Sequence, residues 1–195
     1  EFGAALKLVE ARGQAMQAAV PAGTGAMAAI LGLDDATVEN LCQQAAQGRI
    51  VSAANYNAPG QVVIAGHADA VDRAIESAKE AKAKRALKLA VSVPSHCELM
   101  RPAVEVLALQ LNEAQLQAPQ VTVLHNVDAA PRQAPAEISE ALQAQLYRPV
   151  RWVQCVEKIA ATGASVVVEC GPGKVLTGLN KRIVKGPAYI CVQDP

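Results

Sequence analysis

A histidine stands at the end of an apolar stretch near the middle of the chain, in the segment Val91-Ser-Val-Pro-Ser-His96. The apolar run predicts an extended segment that Pro94 interrupts, and a helix is predicted to begin at about Cys97. Loops at the ends of rigid elements commonly carry catalytic groups, and imidazole has an unperturbed pKa close to neutral pH. Position alone favours a plainer interpretation, a histidine on the surface or at a helix start. The segment still makes His96 the first candidate for a general base.

A histidine base acts on a nucleophile through one ring nitrogen while an acceptor orients the other nitrogen. None of the six serines of the chain lies in a Gly-x-Ser-x-Gly turn. Cys97 adjoins His96 in sequence, but at the start of a helix it is predicted to face away from the imidazole. If His96 is a general base, its nucleophile is therefore expected outside this chain.

Two further segments could bind anions. Arg12 lies on the mainly apolar face of the first predicted helix. It is either a long side chain with a solvated charge or a guanidinium that binds a carboxylate through two hydrogen bonds. Gly171-Pro-Gly-Lys174 is similar to a phosphate loop, but it lacks the spacing and the hydroxyl residue of a Walker motif. Close packing between a strand and a helix is the better interpretation of that segment.

The predicted elements that hold these residues fall into two regions of an α/β protein. Between residues 23 and 90 they follow the order strand-helix-strand-strand-helix-strand, which is the ferredoxin-like arrangement and indicates an inserted subdomain. In residues 1–22 and 91–195 strands alternate with helices, which is typical of a layered α/β body. Predictions with defined limits are helices over 68–83 and 97–117, a strand over 85–91, a short buried strand over 121–124, and an apolar strand over 165–169 that a parallel sheet would cover on both faces.

The composition excludes several classes of protein. The 18 basic and 18 acidic residues balance, which argues against nucleic acid or an anionic membrane as the main partner. No apolar run approaches the roughly 20 residues of a membrane span. The five cysteines contain no CxxC pair, so a zinc site is not expected, and reduced thiols in the cytoplasm are the plain interpretation.

Several segments, in this order along the chain, resemble the bacterial malonyl-CoA:acyl carrier protein transacylases, the loading enzymes of fatty-acid synthesis. They are Lys7-Leu-Val-Glu-Ala-Arg-Gly13, Gly23-Thr-Gly-Ala-Met-Ala-Ala29, Asn55-Tyr-Asn-Ala-Pro-Gly-Gln-Val-Val-Ile-Ala-Gly-His67, Val91-Ser-Val-Pro-Ser-His96, Gln145-Leu-Tyr-Arg-Pro-Val150 and Gly171-Pro-Gly-Lys-Val-Leu-Thr-Gly178. The family combines an α/β-hydrolase-like body with a ferredoxin-like insert. The resemblance thus implies the same two-part fold for residues 1–22 with 91–195 and for residues 23–90.

The resemblance also implies roles for individual residues. His96 would be the general base, and the backbone carbonyl of Gln145 would orient its imidazole. Arg12 would hold the free carboxylate of malonate. Three residues would line the acyl pocket: Ser95, Met27 and Asn57.

The implied reaction is a ping-pong transfer in which a serine takes malonyl from coenzyme A and passes it to the phosphopantetheine thiol of acyl carrier protein. Coenzyme A thioester and carrier protein would be the partners of a cytoplasmic, monomeric parent enzyme that needs no cofactor. In the family the serine lies in Gly-His-Ser-x-Gly, upstream of the helix that carries Arg12, and a loop of the oxyanion hole lies further upstream. Both would precede residue 1, so the 195-residue chain alone is expected to lack transacylase activity.

Three other functions remain open from the residues. The chain could be a fragment that binds carrier protein without catalysis, or an acyltransferase module of a polyketide synthase. A hydrolase that uses Cys97 as its nucleophile is the third.

Overall fold

The computed structural model describes residues 2–192, so Glu1 and residues 193–195 of the predicted body lie outside it. The helices are α1 Phe2–Ala18, α2 Asp35–Ala46, α3 Ala68–Glu80, α4 Ala103–Glu113, α5 Pro135–Tyr147, α6 Trp152–Ala161 and α7 Val175–Ile183. The strands are β1 Gly25–Leu31, β2 Val51–Ala58, β3 Gln61–His67, β4 Arg85–Lys88, β5 Leu124–His125, β6 Ala130–Pro131, β7 Val166–Cys170 and β8 Ala188–Val192. This mixture of helices and strands confirms the predicted α/β class.

Strands β1–β4 form an antiparallel sheet with the order β2-β3-β1-β4. Helices α2 and α3 pack against each other and against this sheet. The buried residues of α3 recur at helical spacing and share one core with β1 and β3: Val71, Ala74, Ile75 and Ala78 on the helix, and Ala28, Ile30, Val62 and Ile64 on the strands. Such a periodic apolar face is what drives a helix onto a sheet.

Two predicted limits in this region are wrong. Helix α3 ends at Glu80 rather than residue 83, because Lys82 adopts a left-handed conformation with φ of 63° and the Ala83 N–H bonds the Ala78 carbonyl, which closes the helix. Strand β4 ends at Lys88 rather than residue 91. The Val91 N–H bonds the Leu89 carbonyl two residues back, and a tight turn of this kind leaves the sheet.

A second core lies among α1, α4 and α5, which pack in that order. Its buried residues are Ala15, Met16, Met100, Ala103, Leu107, Leu111 and Leu146. The predicted helix over 97–117 is wrong at both ends: a 3₁₀ turn, Glu98–Met100, comes first, and α4 follows. Pro102 has no N–H to continue a helix from Cys97, and it stands instead as the N-cap of α4, where no intrahelical N–H is needed. At the far end Gln115 adopts a left-handed φ of 48°.

Two predicted buried strands are more exposed than the sequence suggested. Over 121–124 only Leu124 belongs to a strand, and Val121 is 72% exposed. The strand over 165–169 exists as β7, but within residues 2–192 it pairs only with β8, in parallel, and Val166 and Val168 are 50% and 43% exposed. Within the described residues, therefore, β7 is not covered on both faces.

A carboxylate organises the turn between β7 and α7. Glu169 accepts hydrogen bonds from the backbone N–H groups of Leu176 (3.1 Å) and Thr177 (2.7 Å) at the start of α7. These are the groups that would bind an anion at a helix N-terminus. The Gly171–Lys174 turn therefore packs a strand against a helix, as its sequence indicates. The carboxylate of Glu169 occupies the N–H groups that an external anion would need.

The sheet and the surrounding helices join along one edge strand. Val150 donates its N–H to the Ala54 carbonyl (2.8 Å) and accepts from the Tyr56 N–H (2.9 Å). Arg182 of α7 donates to the side chain of Gln61 and to the carbonyl of Pro59. Among residues 2–192, no helix has the length and hydropathy that crossing a membrane requires.

Replacing Glu169 with glutamine should destabilise the chain at neutral pH, because a neutral amide accepts hydrogen bonds more weakly than a carboxylate at a helix N-terminus. The Thr177 side chain and the two N–H groups hold the pKa of Glu169 below its usual value. The stabilisation is thus present at pH 7 and is lost as pH falls through that lowered pKa. Urea midpoints of the parent and Glu169→Gln chains should differ at pH 7 and converge in acid.

The exposed glutamate Glu157 on α6 provides the matched control. Glu157→Gln should leave the midpoint almost unchanged at both pH values. Equal midpoints for Glu169→Gln and the parent at pH 7 would show that Glu169 does not stabilise α7.

Candidate functional site

The segment before α4 turns sharply at His96, whose φ of 62° lies in the left-handed region. This conformation costs a non-glycine residue about 1–2 kcal/mol, so neighbouring contacts must hold it. The His96 N–H donates to the Leu146 carbonyl (3.0 Å), and the Cys97 thiol donates to the Pro94 carbonyl (3.2 Å). These bonds on both sides of the turn fix the direction in which the imidazole leaves the backbone.

The imidazole is oriented by a second bond to the same helix. His96 Nδ1 lies 2.7 Å from the backbone carbonyl oxygen of Gln145, in the last turn of α5. A carbonyl oxygen only accepts, so Nδ1 carries the proton and donates it. In the neutral ring, Nε2 then keeps its lone pair and can accept a proton from another group.

The imidazole borders a cavity of about 360 Å³. Arg12, Asn126 and Gln145 line it together with His96. Its other walls are apolar: Leu8, Val9, Leu107, Leu111, Leu142 and Val150. A mainly apolar cavity with a few polar groups on one side is typical of a small-molecule site.

The charges around the cavity favour a neutral imidazole. Burial lowers the pKa of His96, the hydrogen bond to Gln145 opposes that shift, and the nearby Arg12 cation lowers the pKa further. Burial also lowers the pKa of Arg12, from a value so high that the guanidinium stays charged at neutral pH. The ion pairs among residues 2–192 join other side chains, so within that range no carboxylate neutralises Arg12. The cavity thus presents a cation and a neutral base to a ligand.

The other three predicted site residues lie near this cavity but do not line it. Met27 is 6% exposed and packs with Cys97 beneath the His96 turn. Ser95 precedes His96 in that turn, and Asn57 lies in β2 close to where β2 meets Val150. Their assignment to the acyl pocket stays a prediction.

Asn126 also lines the cavity, although none of the sequence motifs includes it. Its side-chain oxygen lies 3.7 Å from the Cys155 sulfur and its backbone carbonyl accepts from the Arg151 N–H (2.8 Å). One sequence feature could indicate a site residue here, because Asn126 is polar and comes after the apolar Val121–Leu124 segment. This feature is weak evidence for a site, since nothing in the sequence places the segment beside His96.

The geometry argues against Cys97 as a nucleophile. The side chain is 1% exposed, its thiol donates to Pro94, and burial raises its pKa to about 11. Thiolates, not thiols, attack electrophiles, so this cysteine is inert at neutral pH.

The model of a known family, the acyl transferase domain, matches residues 2–190. The chain belongs to this family. It is 57% identical over 194 residues to the malonyl CoA-acyl carrier protein transacylase of Haemophilus influenzae, and 45% identical over 195 residues to that of Bacillus subtilis. In both comparisons the match covers 100% of this chain and 62% of the relative, so the chain spans less than two thirds of the relatives' length.

Solved structures of this family superpose closely on the chain. An acyl carrier protein S-malonyltransferase from Vibrio cholerae gives a TM-score of 0.97 at 57% identity, covering 100% of this chain and 64% of that one. A malonyl-transacylase solved in complex with its type II PKS acyl-carrier protein gives a TM-score of 0.98 at 52% identity, covering 100% and 63%. These similarities confirm the resemblance found in the sequence motifs.

Replacing Arg12 with glutamine should raise the pKa of His96, because a nearby cation disfavours the imidazolium. The titration of the His96 ring, followed by NMR in the 195-residue chain, measures this directly. Arg12→Lys keeps a cation at the cavity and should leave the titration close to that of the parent. A His96 titration that is the same in Arg12→Gln and in the parent would show that Arg12 does not act on the imidazole.

Proposed function

We propose that the complete protein to which this chain belongs transfers malonyl from coenzyme A to the phosphopantetheine thiol of acyl carrier protein, in fatty-acid biosynthesis in the cytoplasm. The observation that carries the proposal is the His96 imidazole, which donates through Nδ1 to Gln145, so that Nε2 keeps its lone pair, and which lines a cavity together with Arg12. The names of the relatives support the same reaction.

In this proposal His96 Nε2 takes the proton of a serine hydroxyl supplied by a segment outside residues 2–192. The serine oxygen attacks the thioester carbonyl, and the tetrahedral intermediate releases the thiolate of coenzyme A, which receives the proton from the imidazolium. In the second half the carrier's thiol gives its proton to Nε2 and attacks the malonyl ester. The serine oxygen leaves and recovers its proton. The Gln145 carbonyl stabilises the imidazolium by accepting from Nδ1 in both halves.

Arg12 would hold the carboxylate at the free end of malonate. A guanidinium and a carboxylate form paired, charge-assisted hydrogen bonds, and these are stronger where apolar walls exclude water. The apolar side chains around the cavity would provide that exclusion. Asn126 would add a neutral hydrogen-bonding group to the same cavity, and Ser95, Met27 and Asn57 would shape the acyl pocket from its border.

We also propose the two-part architecture, with residues 23–90 as a ferredoxin-like subdomain and residues 1–22 and 91–195 as part of an α/β-hydrolase-like body. The sheet order β2-β3-β1-β4, with two helices packed against it, supports the first part. The parallel β7–β8 pair with α6 and α7 beside it supports the second. The site would then lie on the body, close to its border with the subdomain.

A second candidate has specific support. The similar malonyl-transacylase was solved in complex with a type II PKS acyl-carrier protein. The same chemistry would then load a polyketide carrier rather than a fatty-acid carrier. Measured transfer rates to the two classes of carrier would separate these functions.

The activity can be tested by joining this chain to a preceding segment that carries the Gly-His-Ser-x-Gly motif expected from the family resemblance. The joined protein should transfer malonyl from coenzyme A to carrier protein, and the 195-residue chain alone should not. His96→Gln should reduce the rate by at least about 100-fold, the usual contribution of a general base. His67, in β3, provides the control, since His67→Gln should keep most of the activity. Strong transfer by the chain alone, or by His96→Gln, would contradict the proposal.

The role of Arg12 predicts a change in selectivity. In the joined protein Arg12→Ala should lower kcat/KM for malonyl-CoA by about 10- to 100-fold, since charge-assisted hydrogen bonds contribute about 1.5–3 kcal/mol. The value for acetyl-CoA, which has no carboxylate at that end, should change little. An equal loss for both substrates would mean that Arg12 supports the fold or the base rather than the malonyl carboxylate.

A further inference from the structure

Two segments distant in sequence meet behind the imidazole. The first is the 3₁₀ turn Glu98–Met100 with Arg101, which is separated from His96 by Cys97 alone. The second is the last turn of α5, which carries Gln145, Leu146 and Tyr147. Met100 and Leu146 are both fully buried in the core between them. His96 bonds the first two residues of that α5 turn, through Gln145 O and Leu146 O.

Arg101 contacts the third residue of the same turn. Its guanidinium carbon lies 3.6 Å from the centre of the Tyr147 ring. Glu98 holds the guanidinium in place, with Nε to Oε2 at 2.6 Å and Nη2 to Oε1 at 3.1 Å. A flat guanidinium bonded through two atoms has little freedom to rotate, and it stacks well on an aromatic face.

We propose that Arg101 is a positioning residue for His96, acting through Glu98 and Tyr147. The stack of Arg101 on Tyr147 holds the segment after His96 against the α5 turn that carries the Gln145 carbonyl. It thereby keeps the Nδ1 hydrogen bond short while His96 holds its left-handed backbone conformation. Only the consequence for catalysis depends on the proposed transacylase function. The geometric claim concerns this chain alone.

A purely local role for the ion pair is the alternative. Glu98 and Arg101 are three residues apart, and their side chains are 52% and 54% exposed. Pairs of this kind contribute little to stability. The pair Glu76–Lys79 in α3 has the same spacing and similar exposure, but it lies away from the cavity. It therefore provides a matched control for any general effect of removing a surface ion pair.

The test observes the hydrogen-bonded Nδ1 proton of His96 by NMR in the 195-residue chain. In Arg101→Ala this proton should exchange with water several-fold faster than in the parent, because the carbonyl of Gln145 is no longer held against the ring. Arg101→Lys should behave like Arg101→Ala, since lysine keeps the charge but loses the flat stack. Tyr147→Phe keeps the ring and should match the parent, whereas Tyr147→Leu should not. Lys79→Ala should leave the exchange rate unchanged.

The same variants in the joined protein give the catalytic readout. Arg101→Ala and Tyr147→Leu should lower kcat for malonyl transfer several-fold with little change in KM, and Tyr147→Phe should retain the parent rate. Thermal melting of each variant separates these effects from loss of folding, and Arg101→Lys serves if the alanine variant does not fold. An unchanged exchange rate in Arg101→Lys and Tyr147→Leu would overturn the proposal, whether or not the joined protein transfers malonyl. The proposal would also be overturned if Lys79→Ala increased the exchange rate of the His96 Nδ1 proton as much as Arg101→Ala does.

Discussion

The site depends on one hydrogen bond, from His96 Nδ1 to the backbone carbonyl of Gln145, which joins residues 49 positions apart in the chain. It fixes the tautomer of the ring, because the oxygen can only accept, and so Nε2 keeps its lone pair on a ring that lines the cavity. A backbone carbonyl does not titrate, whereas a carboxylate in the same place would change its charge with pH. The orientation of the base is therefore as stable as the helix end that carries the carbonyl.

That helix end is held by packing on two sides. Leu146, between Gln145 and Tyr147, is fully buried among α1, α4 and the 3₁₀ turn, so α5 cannot rotate without opening the core. Val150, just beyond α5, pairs with β2 of the four-stranded sheet. The cavity thus lies where helices α1, α4 and α5 come close to the edge strand β2, and Arg12 reaches it from α1. Burial lowers the pKa of His96, and the Arg12 cation beside the ring lowers it further, so the imidazole is neutral; the same cation makes the cavity suitable for an anionic acyl group.

Local sequence patterns predicted most of the elements but not where they meet. Helix α3 is recognisable because its apolar residues repeat with the period of a helix, and strands β1 and β3 are recognisable as short apolar runs next to glycine-containing turns. The pattern from Cys97 to Gln117 predicts one helix, but Pro102 interrupts it and stands as the N-cap of α4, which only the packing of the chain reveals. The sequence positions of His96 and Arg12 mark both residues as candidates, the family resemblance adds Gln145 and the roles of all three, and their proximity appears only in the structure. Asn126 had no motif, and the exposure of β7 depends on contacts that no local pattern encodes.

The most direct test of this account is the tautomer of His96, read from the nitrogen chemical shifts and one-bond N–H couplings of its ring in the 195-residue chain. At a pH above the pKa of the His96 ring, we expect a slowly exchanging proton on Nδ1 and no proton on Nε2. A proton on Nε2, or a ring that exchanges freely between the two forms, would show that the Gln145 carbonyl does not orient the base. His96 would then lack the orientation that its proposed role as a general base requires.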